Sequence, residues 1–232
     1  MANESRKLGG FSMIETVRQM IRYGVYPILL TATLGFSVWV VTEGKDARYA
    51  FGWIMGARTA ILLALEFIVP MKSEWRMTWR SFGRDALYIA MNGAFGAFLR
   101  WLAVFLAISI SGNGTGFLAD APLLVAVIVL VLVFEFLQYW LHRVSHEARG
   151  MVGSALWRIH VAHHLPDRVY LLMHPVMHPI NLVLVATVTQ GALLITGASG
   201  EAIFVFNTLL ALHGTISHFN VDIAAGPFNY LF

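Results

Sequence analysis

Nine histidines and no cysteine define the chemistry open to this chain. Without thiolates there are no disulfides, no cysteine-held iron–sulfur cluster and no thiolate-ligated haem, so a metal must be held through nitrogen and oxygen. The histidines are clustered. His142 and His146 stand four residues apart in Tyr139-Trp140-Leu141-His142-Arg143-Val144-Ser145-His146. On a helix that step leaves the two rings about 40° apart on one face. His160, His163 and His164 follow, and on a helix they share an arc of about 100°. Three converging imidazoles with no carboxylate between them have little structural use, whereas a metal would unite them. Imidazole suits iron, zinc and copper alike, so the donors alone leave the metal open.

The remaining histidines are less regular. His174 and His178 each precede a proline, and Pro179 opening a helix would leave His178 as its cap or, alternatively, as a further metal-site residue. His174 has no partner at ligand spacing, so His174→Ala is expected to leave metal and activity intact. His213 and His218 are five apart, about 140° around a straight helix, and share a ligand face only if the chain bends at Gly214. Two acids belong to the candidate site. Glu147 adjoins the first pair, and Glu135 lies seven residues before His142, two turns along the same face, where it could accept a ligand's N–H.

The elements that position these groups lie in a membrane. Hydrophobic residues make up 58% of the chain and charged residues 12%, about half the charge of a soluble domain. Four stretches approach the ~20 apolar residues a span requires: 25–41, 50–69, 87–110 and 121–141. A shorter pair follows at 181–196 and 202–216, joined by Gly197-Ala198-Ser199-Gly200. Phe11, Ile14, Val17 and Ile21 recur at helical spacing opposite charge, which predicts an interfacial helix before the first span. Trp75 and Trp79, interleaved with Lys72, Arg76 and Arg80, predict another at the headgroups. Arg58, Glu66, Asn92, Arg100 and Glu135 fall inside spans, where each needs a partner.

The basic residues alternate along the chain. Arg6, Lys7, Arg18 and Arg22 precede the first span; Lys45 and Arg48 follow it; Lys72, Arg76, Arg80 and Arg84 follow the second; the stretch 111–120 has none; Arg143, Arg149, Arg158 and Arg168 follow the fourth. This predicts a cytoplasmic N-terminus and cytoplasmic histidines. The expected fold is all-α: a polytopic membrane bundle of about four spans plus the short pair, with the histidine-rich site on the cytoplasmic face. Residues 1–120 would form the interfacial helix and first three spans, and residues 121–232 the histidine-bearing region. Basic residues confined to short flanks give no nucleic-acid surface.

Tyr139–His146 and Trp157–His164 resemble the first and second histidine boxes of the fatty acid hydroxylase and sterol desaturase superfamily. The stretch ending in His178-Pro179 resembles the segment that follows them. Leu212–Asp222, with His213 and His218, is similar to that family's later metal-binding helix. Glu147 resembles an acid found in the alkylglycerol monooxygenase branch. The resemblance covers residues 121–232 and implies two irons, with zinc as a substitute in a purified sample, held by eight or more histidines. It also implies O2-dependent hydroxylation or desaturation of a fatty acyl, sterol or related lipid. The ligand set on this chain would be His142, His146, His160, His163, His164, His213 and His218. The family's third box, His-x-x-His-His, is expected shortly after the segment that resembles 226–232, so the native reading frame is expected to continue past Phe232. The 232 residues alone are expected to lack oxygenase activity.

A site at the membrane surface lets a lipid enter sideways while its reacting carbon reaches the metal. The chain carries no flavin, nicotinamide or haem-binding motif, so electrons are expected from a separate ferredoxin or cytochrome. Two other functions use the same residues. A zinc-dependent membrane hydrolase would need Glu147 as its base, and a non-catalytic or haem-carrying membrane protein would need histidines paired across helices.

Overall fold

Apolar runs, capped at their ends, become helices. Asp46 opens one by accepting the Arg48 N–H, and Ser199 opens another by accepting the Ala202 N–H. His178 does the same for Ile180 N, with Pro179 in the first turn, and Gly197 closes that helix in the left-handed conformation. The computed structural model describes residues 13–111, 116–224 and 226. Its helices are α1 (Met13–Thr42), α2 (Ala47–Ile68), α3 (Trp79–Ser111), α4 (Leu123–Glu147), α5 (Gly150–His164), α6 (Pro179–Thr196) and α7 (Gly200–Ile216). Short 3-10 turns at Ser73–Trp75 and Leu171–Met173 complete them, and no strand occurs among the described residues.

Helices α1, α2 and α4 are long and apolar enough to cross a bilayer. The expected third span, 87–110, lies within the 33-residue α3, and α6 and α7 are the expected shorter pair. Two local expectations need correction. Helix α1 is continuous from Met13, so Val17–Arg22 form the first turns of the span helix rather than a separate interfacial helix; Phe11 lies outside the described residues. The tryptophan-rich stretch is also not one helix. It is a 3-10 turn, with the Lys72 ammonium 4.0 Å from the Trp75 ring centre, followed by a break at Arg76–Thr78. Thr78 and Ser81 exchange backbone and side-chain hydrogen bonds there, which starts α3 only at Trp79.

Helix α4 packs against α5, α6 and α7, while α1 lies on α7 and α3 on α6. The core joins Leu130 and Phe134 of α4 to Val205 and Phe206 of α7, with Phe134 and Phe206 edge to face at 5.8 Å. Lipid tails are as apolar as these side chains, so close packing and interhelical hydrogen bonds hold the bundle together. Ser37 of α1 and Thr208 of α7 share such a bond at 2.8 Å, worth about 0.6 kcal/mol in a membrane. Arg58 and Asn92, costly within spans, also find partners on other elements: Arg58 donates to Thr208 O, and Asn92 to Pro175 O. The side chain of Arg100 lies outside the described residues.

Candidate metal centre

The first group of histidines stands on two helices joined by a tight reversal. Helix α4 ends at Glu147, Gly150 adopts φ +72°, and α5 turns back against α4. A Cβ on Gly153 would fall 2.0 Å from Ala148 O, so glycine is what lets α5 return so closely. The reversal brings His142 and His146 of α4 against His160 and His164 of α5, and the ligand atoms of all four lie within 4.8 Å of one another. His142 stacks on His146 with ring centres 4.7 Å apart.

Three of these nitrogens form a triangle. The Nε2 atoms of His146 and His164 are 3.2 Å apart, those of His160 and His146 3.2 Å, and those of His164 and His160 3.0 Å. Each edge of a hydrogen-bonded triangle needs one donor and one acceptor, but a ring nitrogen is one or the other. An odd ring therefore cannot be satisfied, and one edge always sets two like groups face to face. A metal resolves the conflict, because all three nitrogens then present lone pairs. With imidazole–metal bonds of about 2.1 Å, two ligand nitrogens stand about 3.0 Å apart at a right angle and about 3.4 Å apart at a tetrahedral angle. The observed spacings lie within that interval. His160 Nδ1 lies 3.4 Å from Asn181 Oδ1, and donation to that oxygen turns the Nε2 lone pair toward the triangle.

His163, on the same turn of α5, points into a second group. Its Nε2 stands 3.0 Å from His218 Nε2. His163 Nδ1 approaches Val176 O at 3.4 Å, and His218 Nδ1 approaches Gly214 O at 3.3 Å. Carbonyls only accept, so with both rings donating through Nδ1 the two Nε2 lone pairs would face each other. The Ser217 hydroxyl, 2.9 Å from His218 Nδ1, offers the other arrangement, donating to Nδ1 and leaving His218 Nε2 to donate to His163. In the first arrangement a cation between the two nitrogens would satisfy both. The His174 ring centre is 4.7 Å from that of His218, so His174 does have a histidine neighbour, through a contact the sequence spacing did not show. Gly214 makes room for it, since a Cβ there would lie 3.1 Å from His174 Nε2.

The other candidates lie elsewhere. Helix α7 ends at Ile216, and that termination, rather than a bend at Gly214, turns His218 away from His213. His213 and Glu135 line a cavity of about 160 Å³ among Tyr26, Phe134 and Phe206, between α1, α4 and α7. Glu147 pairs with Arg143 at 2.8 Å and is largely exposed. His178 caps α6, its Nδ1 accepting the Ile180 N–H at 3.2 Å.

Polar ties outside the histidines hold the linker between α5 and α6. Fully buried Asp85 accepts from Tyr170 Oη at 2.5 Å and from Arg84 Nε at 2.9 Å. Asn92 donates to Pro175 O at 2.6 Å, and Glu66 Oε1 accepts from Leu171 N at 2.9 Å. The intramembrane positions of Glu66 and Asn92 signalled such partners; Asp85 and Tyr170 gave no comparable sign in the sequence.

Burial pushes the His163 imidazole down to about 4, helped by His218, and desolvation takes His174 down to about 3. Desolvation also lowers His160, His164 and His218. The metal-free fold thus offers neutral imidazoles at neutral pH. In the unfolded chain these groups titrate near their usual value of about 6.5. Between about 4 and 6.5 the unfolded chain binds more protons, so the stability present above 6.5 drains away as pH falls. Thermal unfolding of metal-free protein is expected several degrees lower at pH 5 than at pH 7.5. A flat profile would contradict the burial of these rings.

Residues 127–232 match the fatty acid hydroxylase family. Ornithine lipid hydroxylase OlsE of Rhizobium tropici is 28% identical over 111 residues, which cover 48% of this chain and 32% of that protein. No solved structure matches. The matched region contains both histidine groups, and both comparisons support a place for residues 127–232 in the fatty acid hydroxylase superfamily.

Proposed function

We propose that this chain is the metal-bearing part of a membrane-bound, di-iron, O2-dependent lipid hydroxylase. The observation that carries the reading is the odd triangle of imidazole nitrogens, which hydrogen bonds cannot satisfy and a metal can. His142, His146, His160 and His164 would hold one ion, and His163 and His218, with His174 beside them, the other. Bound iron would supply oxygen activation. The protein's own part would be to orient the nitrogens: Asn181, Val176 O and Gly214 O would accept from Nδ1 and leave Nε2 for the metal.

Beneath the site, the cavity walled by Val131, Phe134, Phe206, Leu209 and Leu210 offers an apolar berth between helices, with Glu135 and His213 as its polar residues. An acyl chain entering from the bilayer would lie there in a water-poor setting. The Rhizobium relative's name points to an amino-acid-headed lipid as the first substrate to assay. Electrons would come from a ferredoxin or cytochrome. The hydrolase alternative loses support because Glu147, its required base, is engaged by Arg143.

The test is the intact reading frame, purified in lipid and loaded anaerobically with Fe(II). It should hold two irons per chain and, with O2 and a reductant, hydroxylate ornithine lipid or another acyl lipid. Protein that binds no metal, or that hydrolyses lipid with zinc alone, would refute the proposal. The alternation of basic residues supports a cytoplasmic position for the histidines. A cysteine at Glu43 should then react with an impermeant reagent in intact cells, and one at Met151 only after permeabilisation; the reverse pattern overturns that sidedness.

A further inference from the structure

Glu66 lies near the end of α2, on a helix that carries none of the histidines, and is 4% exposed. One of its oxygens, Oε1, accepts two backbone N–H groups, from Leu171 and from Asn220, each at 2.9 Å. Those donors are 49 residues apart in sequence, yet each belongs to a segment that carries a histidine of the second group. Leu171 opens the 3-10 turn whose carbonyl accepts the His174 N–H at 3.3 Å. Asn220 follows His218 by two residues. Asn220 is itself clasped: its Oδ1 accepts from Lys72 N, its Nδ2 donates to Lys72 O, and its O accepts from Met71 N. The segments bearing His174 and His218 are therefore joined through a single carboxyl oxygen to the end of α2.

The first group has no such dependence. Its rings stand within two consecutive helices whose backbones hydrogen-bond internally. His163 shares that rigid support, but His218 lies past the end of α7 and His174 lies in a linker.

We infer that Glu66 is the positioning residue of the second metal: by fastening Leu171 and Asn220 to α2, it holds His174 and His218 against His163 while leaving the first metal untouched. This rests on the two-metal reading above. Outer partners of metal ligands typically govern about 10–100-fold in affinity, and here the influence passes through backbone rather than through a ring N–H.

The experiment is a Co(II) titration of the intact, metal-stripped protein in detergent, read by ligand-field absorption and by bound cobalt per chain. Wild type should bind two ions. Glu66→Met, close in size but with only a weakly accepting sulfur, should bind the first as before and the second about 10–100-fold more weakly. Glu66→Gln keeps an oxygen able to accept both N–H groups and should restore the second ion. Glu66→Asp, one methylene shorter, draws the shared oxygen back from its donors; it should also lose second-ion affinity, and serves if Glu66→Met does not fold. Wild type binding fewer than two ions would overturn the two-metal reading. Wild type binding two, with Glu66→Met and Glu66→Asp binding both unchanged or weakening both equally, would overturn the role of Glu66 alone.

Discussion

Alanine at His146, His160 or His164 should each empty the first group of metal and abolish lipid hydroxylation. Each supplies one corner of the Nε2 triangle, with edges of 3.0–3.2 Å. A four-ligand site of this kind binds its ion with about 10–16 kcal/mol in total. Losing one donor therefore removes roughly 3 kcal/mol, about a hundredfold in affinity. His146 and His164 are exposed, so the apo fold should tolerate their loss with helix content preserved; His160 is buried, and its alanine variant should be checked for helix content first. Metal analysis of purified variants decides the matter. Wild-type metal content and turnover in any one of the three would remove that histidine from the site, and in two would dismantle the triangle argument.

Asp85→Ala should be the most destabilising substitution outside the histidines. The carboxyl is fully buried and accepts from Tyr170 Oη at 2.5 Å and Arg84 Nε at 2.9 Å. Its removal leaves a buried phenol without its acceptor and a guanidinium without its counter-ion. Breaking a buried pair costs about 3–5 kcal/mol. Arg84 is partly exposed, so water compensates one side, and about 2–3 kcal/mol is the reasonable expectation. Thermal inactivation of the purified protein should shift down by several degrees, and His174, four residues beyond Tyr170, should become less protected. Unchanged thermal inactivation would show that Tyr170 and Arg84 find other partners.

The helices and the first histidine group were legible in the sequence because both are local. A run of apolar residues opened by Asp46 or Ser199 specifies a helix whatever surrounds it. A four-residue histidine step specifies a shared face once that helix exists. The second group was only half legible. His163 and His164 read as one arc on α5, but the fold sends His164 into the first group and His163 into the second. His174 gave no spacing signal because its neighbour, His218, reaches it across the fold. The end of α7 at Ile216 decides the orientation of His218, and the straight-helix angle between His213 and His218 could not express it. Glu135 and Glu147 were candidates by sequence proximity, yet Glu135 lines the cavity with His213 and Glu147 pairs with Arg143.

The two groups differ in when they can exist. The first draws on residues 142–164, a single helical hairpin. As the chain is synthesised, that hairpin is complete once α5 has emerged, and its donors are then already neighbours. The second closes a contact between His163 and His218, 55 residues apart, so it must wait for α6 and α7 to be made, inserted and packed. Contacts between distant residues form late. A nascent chain halted before α7 would therefore expose one competent nitrogen cluster and no second one. On the two-metal reading proposed above, the order of metal acquisition would follow the order of synthesis: one ion would arrive on a hairpin, and its companion only when the bundle closes.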